Sequence, residues 1–309
     1  MPRHQHKIFA LLRNLGMAFV VLNGFLPALW LFITSLKPER ELVQLPISYW
    51  PQSPTWQNYV AVFRDNPFGS FMLNSAVVAL STTLICIILA SLSGYALGRL
   101  RLPGRRGILT LIVMSSMFPV LILLVPLYRL FVGVELSGLE MLFNALNSSN
   151  LPFFLPDLPA ALETPNLLNT YWALIIPYTA LSLPIAVLIL SGFFQLIPAD
   201  IENAALVDGC TRFGALVRVI APVSAPGIVT AAIIVFVNSW NEFLIALTFN
   251  TRLNMRTVPV GITLYQGEYA FPWAIISAAI TLAILPLVVF IIFFQRRIIS
   301  GLTTGSVKG

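Results

Sequence analysis

The chain has 309 residues, of which 58% are hydrophobic and 10% are charged, and its mean hydropathy is +0.87. A soluble domain carries about 25% charged residues, so this composition excludes a water-soluble fold and favours a lipid environment. The net charge of +6 does not indicate nucleic-acid binding, because the basic residues form short clusters beside apolar runs, a pattern that sets membrane topology.

The apolar residues fall into stretches that are long enough to cross a bilayer, for which roughly 20 residues are needed. The first stretch is too long for the apolar part of a signal peptide, so we expect a retained span. The sequence therefore predicts an all-α integral membrane protein with six spans at 16–36, 71–97, 107–128, 170–196, 223–248 and 272–294. The last five spans form a core over 71–296, and residues 1–15 and 297–309 form the terminal tails.

The distribution of charge predicts the orientation of these spans. With the N-terminus inside, 12 of the 18 Lys and Arg residues fall on the inner side. Basic residues are enriched in cytoplasmic loops, so we expect a multi-pass protein of the bacterial cytoplasmic membrane with both termini in the cytoplasm. The short basic segment Arg99–Arg106 is interpreted as a topology anchor.

Two predicted external segments differ in character. Residues 37–70 are rich in Pro and Trp, and Trp prefers the membrane interface, so this segment is expected to lie along the outer surface. Residues 129–169 form a long external loop, and loops of this length are usually functional or disordered.

The cytoplasmic segment 198–222 carries the clearest local pattern. Pro198 suits a first helical turn, and Asp200 and Glu202 suit its positive end. Gly209 can end that helix. A small-residue face is predicted at Ile201, Ala204, Ala205 and Asp208, and a second amphipathic face at Phe213, Leu216, Val217 and Ile220. An interfacial helix lying flat on lipid is the alternative, but Ala204 and Ala205 are poor lipid anchors, so a docking helix for a cytoplasmic partner fits better.

Chemical motifs are scarce, which argues against a membrane enzyme. The sequence has no G-x-x-x-x-G-K-[ST] phosphate loop, so a partner chain would have to hydrolyse any ATP. No residue set suggests a catalytic site, a metal site or a bound cofactor. The acidic residue Glu242 stands near the outer end of the fifth span, with Asn238, Ser239, Trp240 and Asn241. This mixture suits a neutral, hydroxyl-rich solute, or polar helix–helix packing and an interfacial carboxylate.

The 198–222 segment resembles the EAA loop of permeases from ATP-binding-cassette (ABC) importers. The triplet falls at Asn203, Ala204 and Ala205, followed by Asp208 and Gly209, and the segment ends at Pro222. Asn203 replaces the Glu of the family triplet, with Glu202 beside it, and Ala221 stands where the family has Leu.

Further motifs resemble the carbohydrate branch of that family, in particular the second permease of maltose transporters. They are T-S-L-K-P at 34–38, N-Y at 58–59, N-S at 74–75, G-Y-A-L-G-R-L-R at 94–101, P-L-Y at 126–128, L-N-T-Y-W-A-L at 168–174, W-N-E-F at 240–243, R-T-V-P-V-G at 256–261 and the tail at 295–309.

The resemblance implies the type I importer permease fold and a transport subunit that takes up a sugar, oligosaccharide, glycoside or polyol by alternating access. It implies four partners, namely a second permease, two ATPase subunits that bind ATP and Mg²⁺, and an external solute-binding protein. The residues 201–209 would form the helix that docks on the ATPase. The C-terminal tail, with Gly301, Gly305, Lys308 and Gly309, would also contact the ATPase pair, whereas spacing alone suggests a disordered tail.

Two other functions stay open from the residues alone. An ion-coupled secondary carrier would need ionisable residues within its spans, of which the sequence shows few. A structural membrane scaffold would leave the cytoplasmic helix unexplained.

Overall fold

The structure is a computed structural model that describes residues 3–100, 102–132, 166–267 and 271–304, with the backbone alone for 3–11 and 295–304. Within these ranges the regular elements are helices and no strand occurs, in agreement with the predicted all-α class. The helices are α1 (Arg3–Ser35), α2 (Glu39–Leu42), α3 (Gln57–Asp65), α4 (Phe68–Arg99), α5 (Arg105–Ser116), α6 (Val120–Val132), α7 (Trp172–Leu196), α8 (Ala199–Val207), α9 (Arg212–Ala215), α10 (Ala221–Val223), α11 (Ala225–Asn241), α12 (Leu244–Phe249), α13 (Val258–Thr263) and α14 (Trp273–Thr304). A π-helix (Leu216–Ile220) and a 3₁₀ turn (Leu253–Met255) complete them.

Four helices in the described ranges are long and apolar enough to cross a bilayer by themselves. They are Leu12–Ser35 within α1, all of α4, all of α7, and Trp273–Phe294 within α14. These helices correspond to the first, second, fourth and sixth predicted spans. The helix α1 begins at Arg3, so the predicted tail 1–15 is helical from that residue and continuous with the first span.

The third predicted span, 107–128, is not one straight helix. The helices α5 and α6 occupy this region, but they meet at an angle of 91°. Pro119 stands in the break, where it has no amide hydrogen to continue the ladder of α5 and disfavours helical geometry at Phe118. A broken span or a re-entrant segment therefore replaces the expected straight one.

The fifth predicted span, 223–248, is also interrupted. The helix α11 begins at Ala225 and ends at Asn241, and Glu242 adopts an extended backbone before α12 starts. At its other end, α11 makes an angle of 82° with the preceding helical run Arg212–Val223. The 17 residues of α11 extend for about 26 Å at 1.5 Å per residue, so α11 by itself is a short span.

The chain divides into two compact units, 1–72 with 260–290 and 73–259 with 291–309. In the second unit, α4, α7, the π-helix and α11 surround a common core that includes Ala90, Leu190, Ile220 and Val235. The helices α4 and α7 approach closely, because a Cβ atom at Gly98 would lie 2.9 Å from the Ser191 carbonyl oxygen. Small residues spaced by four allow such backbone contact in membranes, and Gly94 supplies the other position.

The first unit contains the whole of the predicted external segment 37–70. The Lys37 side chain is buried, donates to the Ser48 carbonyl and lies 5.2 Å from the centroid of the Trp30 ring. Glu41 accepts hydrogen bonds from the Ser48 hydroxyl (2.7 Å) and the Gln52 amide (3.0 Å). Burial raises the pKa of Glu41, but these hydrogen bonds outweigh it and leave the pKa below its ordinary value.

Another carboxylate of this unit caps a long helix. Glu39 accepts from the first amides of α14, those of Trp273 at 3.0 Å and Ala274 at 3.1 Å. The unpaired N–H groups and the positive dipole at a helix N-terminus both favour a carboxylate there.

Candidate functional site

The first half of the 198–222 segment is a helix with a defined stop. It runs over Ala199–Val207, two residues earlier than the expected 201–209. Gly209 has a positive φ of 89°. The Cys210 amide donates to the Ala205 carbonyl at 3.0 Å and the Gly209 amide to the Leu206 carbonyl at 3.1 Å, which is the Schellman arrangement. Gly209 therefore stands where the left-handed backbone excludes most other residues.

The exposed face of α8 includes three of the four predicted residues, Ile201, Ala204 and Asp208. The fourth, Ala205, is only 7% exposed, because it packs within its own chain. Asn203, Ala204 and Asp208 are exposed, and Val207 is 87% exposed. Of the predicted face only Ala205 is turned inward, and the open surface of α8 is polar and small apart from two aliphatic side chains, those of Ile201 and Val207.

A polar contact holds the inward side of α8. Arg99 Nε lies 2.7 Å from Glu202 Oε2, and the two side chains are 8% and 13% exposed. The Tyr95 hydroxyl donates to Glu202 Oε1. Glu202 thus points into the protein, and we name these three residues the Arg99 cluster. Arg99 is a buried partner of α8, in addition to the topology role expected from sequence.

In the second half of the segment the predicted face is divided. The Thr211 hydroxyl caps α9 by accepting from the Gly214 amide at 3.1 Å. Leu216 and Ile220 are buried, whereas Phe213 and Val217 are exposed. The four residues predicted to share one face therefore lie on two sides of the chain, which forms a π-helix with a wider turn over Leu216–Ile220. Pro222 is exposed and has no amide hydrogen to give the Arg218 carbonyl.

The predicted substrate-path residues do not share one surface. Trp240 is buried and stacks on Phe236 with ring centroids 5.8 Å apart. Asn238 and Asn241 are exposed and three residues apart, so they lie on one side of α11. These two amides are the part of the set that remains open to a solute or a partner chain.

Glu242 has a structural role in the break after α11. Its carboxylate accepts from the amides of Ile245 at 3.0 Å and Ala246 at 3.1 Å, and from the Tyr178 hydroxyl of α7. A carboxylate in this position satisfies the unpaired amides at the start of α12. The sequence indicated Glu242 as a polar site, and Tyr178 is the partner that it did not reveal.

Several motifs that carry the family resemblance meet in a polar network of the second unit. The Asn74 amide donates to the carbonyls of Asn254 and Arg256 at 2.8 and 2.9 Å. Its oxygen accepts from the Tyr171 hydroxyl at 2.9 Å, and the Ser75 hydroxyl accepts from the Val258 amide at 2.8 Å. These hydrogen bonds hold irregular backbone segments together. This structural role accounts for the polar side chains without any contact to a solute.

The C-terminal prediction falls largely outside the description. Gly301 lies in α14, which continues to Thr304, so the chain is helical beyond the start of the predicted tail 297–309. Gly305, Lys308 and Gly309 lie outside the described residues, as does the part of the long external loop at 133–165. The structure describes neither docking nor disorder for these positions.

The comparisons with known proteins agree with the resemblance. The family model described as "Binding-protein-dependent transport system inner membrane component" matches residues 87–304. The chain is 46% identical to the sulfoquinovosyl glycerol transport system permease protein SmoH of Agrobacterium fabrum, over 96% of this chain and 94% of the relative. It is 36% identical to the trehalose transport system permease protein SugB of Mycobacterium tuberculosis, over 94% of each.

A solved structure shares the fold. A chain in the crystal structure of a bacterial ABC transporter that imports the acidic polysaccharide alginate superposes with a TM-score of 0.70 at 16% identity, over 96% of this chain and 98% of that one.

Proposed function

Because the chain belongs to the family of binding-protein-dependent transport system inner membrane components, we propose that it is the membrane permease of an ATP-driven importer for a sugar or a sugar-containing glycoside. The observation that carries this proposal is α8, a helix with a glycine C-cap and an open face, placed between the apolar helices α7 and α11. The permease itself performs no chemistry. It alternates between outward and inward access as partner subunits bind and hydrolyse ATP.

The proposed solute is an oligosaccharide, a glycoside or a polyol. Relatives over nearly the full chain are named for sulfoquinovosyl glycerol, trehalose, and trehalose with maltose. These solutes share several hydroxyl groups, which hydrogen-bond well to amide side chains such as Asn238 and Asn241. We place these two residues on the solute path or at its edge, and we assign Glu242 and Trp240 to its support.

The proposed partners are a second permease, two ATPase subunits and an external solute-binding protein, with ATP and Mg²⁺ bound by the ATPases. The docking surface is formed by exposed residues of α8 and of the segment after it, namely Asn203, Ala204, Val207, Asp208, Gly209, Phe213, Val217 and Pro222. Small side chains permit close approach, and the exposed apolar ones supply the area to bury. The C-terminal tail with Lys308 is proposed to contact the same ATPases.

The orientation follows from charge. We propose that both termini and the 198–222 segment face the cytoplasm, since most of the Lys and Arg residues then lie inside. A membrane-impermeant thiol reagent tests this placement at Cys210, which is partly exposed. We expect labelling in inverted vesicles and none in intact cells with a permeabilised outer envelope.

Docking is tested with Ala204→Trp, which fills the open face of α8 without entering the core. We expect co-purification of the ATPase subunits to fall by at least about tenfold, equivalent to 1.4 kcal/mol of interface free energy, while membrane insertion stays normal. The matched control is Leu102→Trp, a similarly exposed site on the proposed cytoplasmic side. Equal recovery of the ATPases with both variants would contradict the docking surface.

Transport is tested in proteoliposomes that contain the full complex. ATP is supplied inside or outside the vesicles, and no ion gradient is applied. Uptake of labelled trehalose, maltose or sulfoquinovosyl glycerol, delivered by the cognate binding protein, should require ATP. Uptake driven by an ion gradient without ATP would identify an ion-coupled carrier instead.

A further inference from the structure

Arg99 joins three helix ends through a single guanidinium group. Its Nε bonds to Glu202 in the first turn of α8, and its terminal nitrogens donate to the carbonyls of Ile197 (2.5 Å) and Pro198 (3.3 Å), which follow α7. Arg99 is itself the last residue of α4. The ends of α4 and α7 and the start of α8 therefore share one set of hydrogen bonds.

This arrangement needs Arg and not another cation. The planar guanidinium presents several donors in a fixed geometry, whereas the ammonium group of Lys is a compact point charge. Tyr95, one turn before Arg99, donates to the second oxygen of Glu202, so both carboxylate oxygens have partners. A buried ion pair contributes little net stability when compared with apolar packing, but removal of one partner leaves an uncompensated charge.

The adjacent backbone contact adds rigidity. Gly98 and Gly94 bring α4 against Ser191 of α7 without intervening side chains. Between α7 and α8 stand only two non-helical residues, Ile197 and Pro198, and Arg99 binds the carbonyl groups of both. Glu202, being turned inward, is also unavailable to a cytoplasmic partner, which must contact the exposed residues of α8.

We propose that Arg99 and Glu202, with Tyr95, are positioning residues that fix α8 to the ends of α4 and α7, so that these three elements move as one body during the transport cycle. This inference rests on the proposed function in one respect, since the force on α8 comes from the ATPases. The rigidity of the cluster itself is a property of this chain alone.

The first experiment measures that rigidity in the chain reconstituted into nanodiscs. Spin labels are placed through Ala199→Cys on α8 and Leu102→Cys after α4, with Cys86→Ala and Cys210→Ser, and their dipolar interaction is recorded. We expect a narrow distance distribution that broadens in Glu202→Ala and in Arg99→Ala. An unchanged distribution in both variants would overturn the proposal.

The second experiment follows the same label pair in the full complex. We expect the distance to be equal without nucleotide and after trapping with MgATP and orthovanadate. A shift between the two states would show that α8 slides against α4, and would overturn the proposal. If no ATPase subunit co-purifies with the unlabelled chain, the proposed function fails, while the nanodisc measurement still decides the cluster.

Measuring transport by the complex distinguishes a positioning role of these residues from a role in folding alone. We expect Arg99→Ala and Glu202→Ala each to lower ATP-dependent trehalose or maltose uptake by about tenfold, within the usual range for coupling between sites, with ATPase co-purification unchanged. The double variant should lose no more uptake than the more impaired single variant, because the two residues act through each other. The control Arg106→Ala, which removes an exposed charge in the first turn of α5, should retain uptake within twofold. Additive losses, or normal uptake in both single variants, would contradict the proposal.

Discussion

The contact between α4 and α7 gives the sharpest prediction about stability, through the substitution Gly98→Ala. The added Cβ would lie 2.9 Å from the Ser191 carbonyl oxygen, 3.4 Å from Phe194 Cβ and 3.5 Å from Ser191 Cα. The nearest of these atoms belongs to the backbone, which cannot rotate away as a side chain would. The two helices must therefore separate by a few tenths of an ångström along a contact that is otherwise closely packed.

The expected cost combines two opposing effects. Alanine is favoured over glycine within a helix by about 0.5–1 kcal/mol, whereas overpacking of a tight contact costs about 1–3 kcal/mol. We expect a net loss of about 1 kcal/mol or more from Gly98→Ala. The matched control is Gly192→Ala on α7, where nothing lies within 4 Å of the added Cβ, so that the helix preference acts alone and the variant gains stability.

The assay is thermal unfolding of both variants in the same detergent, followed by the loss of the monodisperse peak in size-exclusion chromatography. For a chain of this size, 1 kcal/mol corresponds to a shift of the midpoint by about 2–4 °C. We expect Gly98→Ala to unfold below the parent protein and Gly192→Ala at or above it. If Gly98→Ala were as stable as Gly192→Ala, the close approach of α4 and α7 would be wrong.

Two carboxylates provide the remaining predictions. Glu242→Ala should destabilise the chain by about 1–2 kcal/mol, the usual cost of a lost helix cap, and should speed hydrogen exchange at the Ile245 and Ala246 amides; unchanged exchange at both amides would contradict the cap. Glu41 has a lowered pKa in the folded chain, so its stabilising contribution is present above the ordinary value of 4.5 and is lost as the pH falls through the lower folded pKa. Limited proteolysis of the 37–56 region should accordingly increase at acid pH in the parent protein, while Glu41→Gln should show cleavage that varies less with pH.

The sequence predicted where the long apolar helices lie, because their composition and length leave few alternatives in a membrane. It did not predict which prolines would interrupt them. Pro27, Pro126 and Pro286 lie inside continuous helices, whereas Pro119 stands in a bend of 91°. All of these prolines remove a hydrogen bond, so the outcome depends on neighbouring elements that the local sequence does not describe.

The same limit applies to α8. Its stop at Gly209 could be predicted, since a glycine after a helical stretch favours the left-handed cap. The burial of Ala205 could not, because Ala and Leu residues occur on several sides of the helix and do not determine which of them faces inward. The side that turns inward is set by Glu202, and its partner Arg99 is 103 positions away in the chain. The one available signal was the pair Tyr95 and Arg99, which lie one turn apart next to Gly94 and Gly98.

Arg99 is expected to act at two stages, membrane insertion and helix packing. In the proposed orientation its charge contributes to the inside bias during insertion, which depends on the Lys and Arg residues of the loops and little on the acidic ones. In the folded chain the same charge is nearly enclosed and paired with Glu202. These roles are compatible because orientation is chosen before the helices pack, and the later pairing removes the charge from solvent without reversing the topology. A neutral substitution at Arg99 should therefore leave the other inside charges sufficient for orientation, so that its effect appears in the movement of α8 and not in the number of inserted chains.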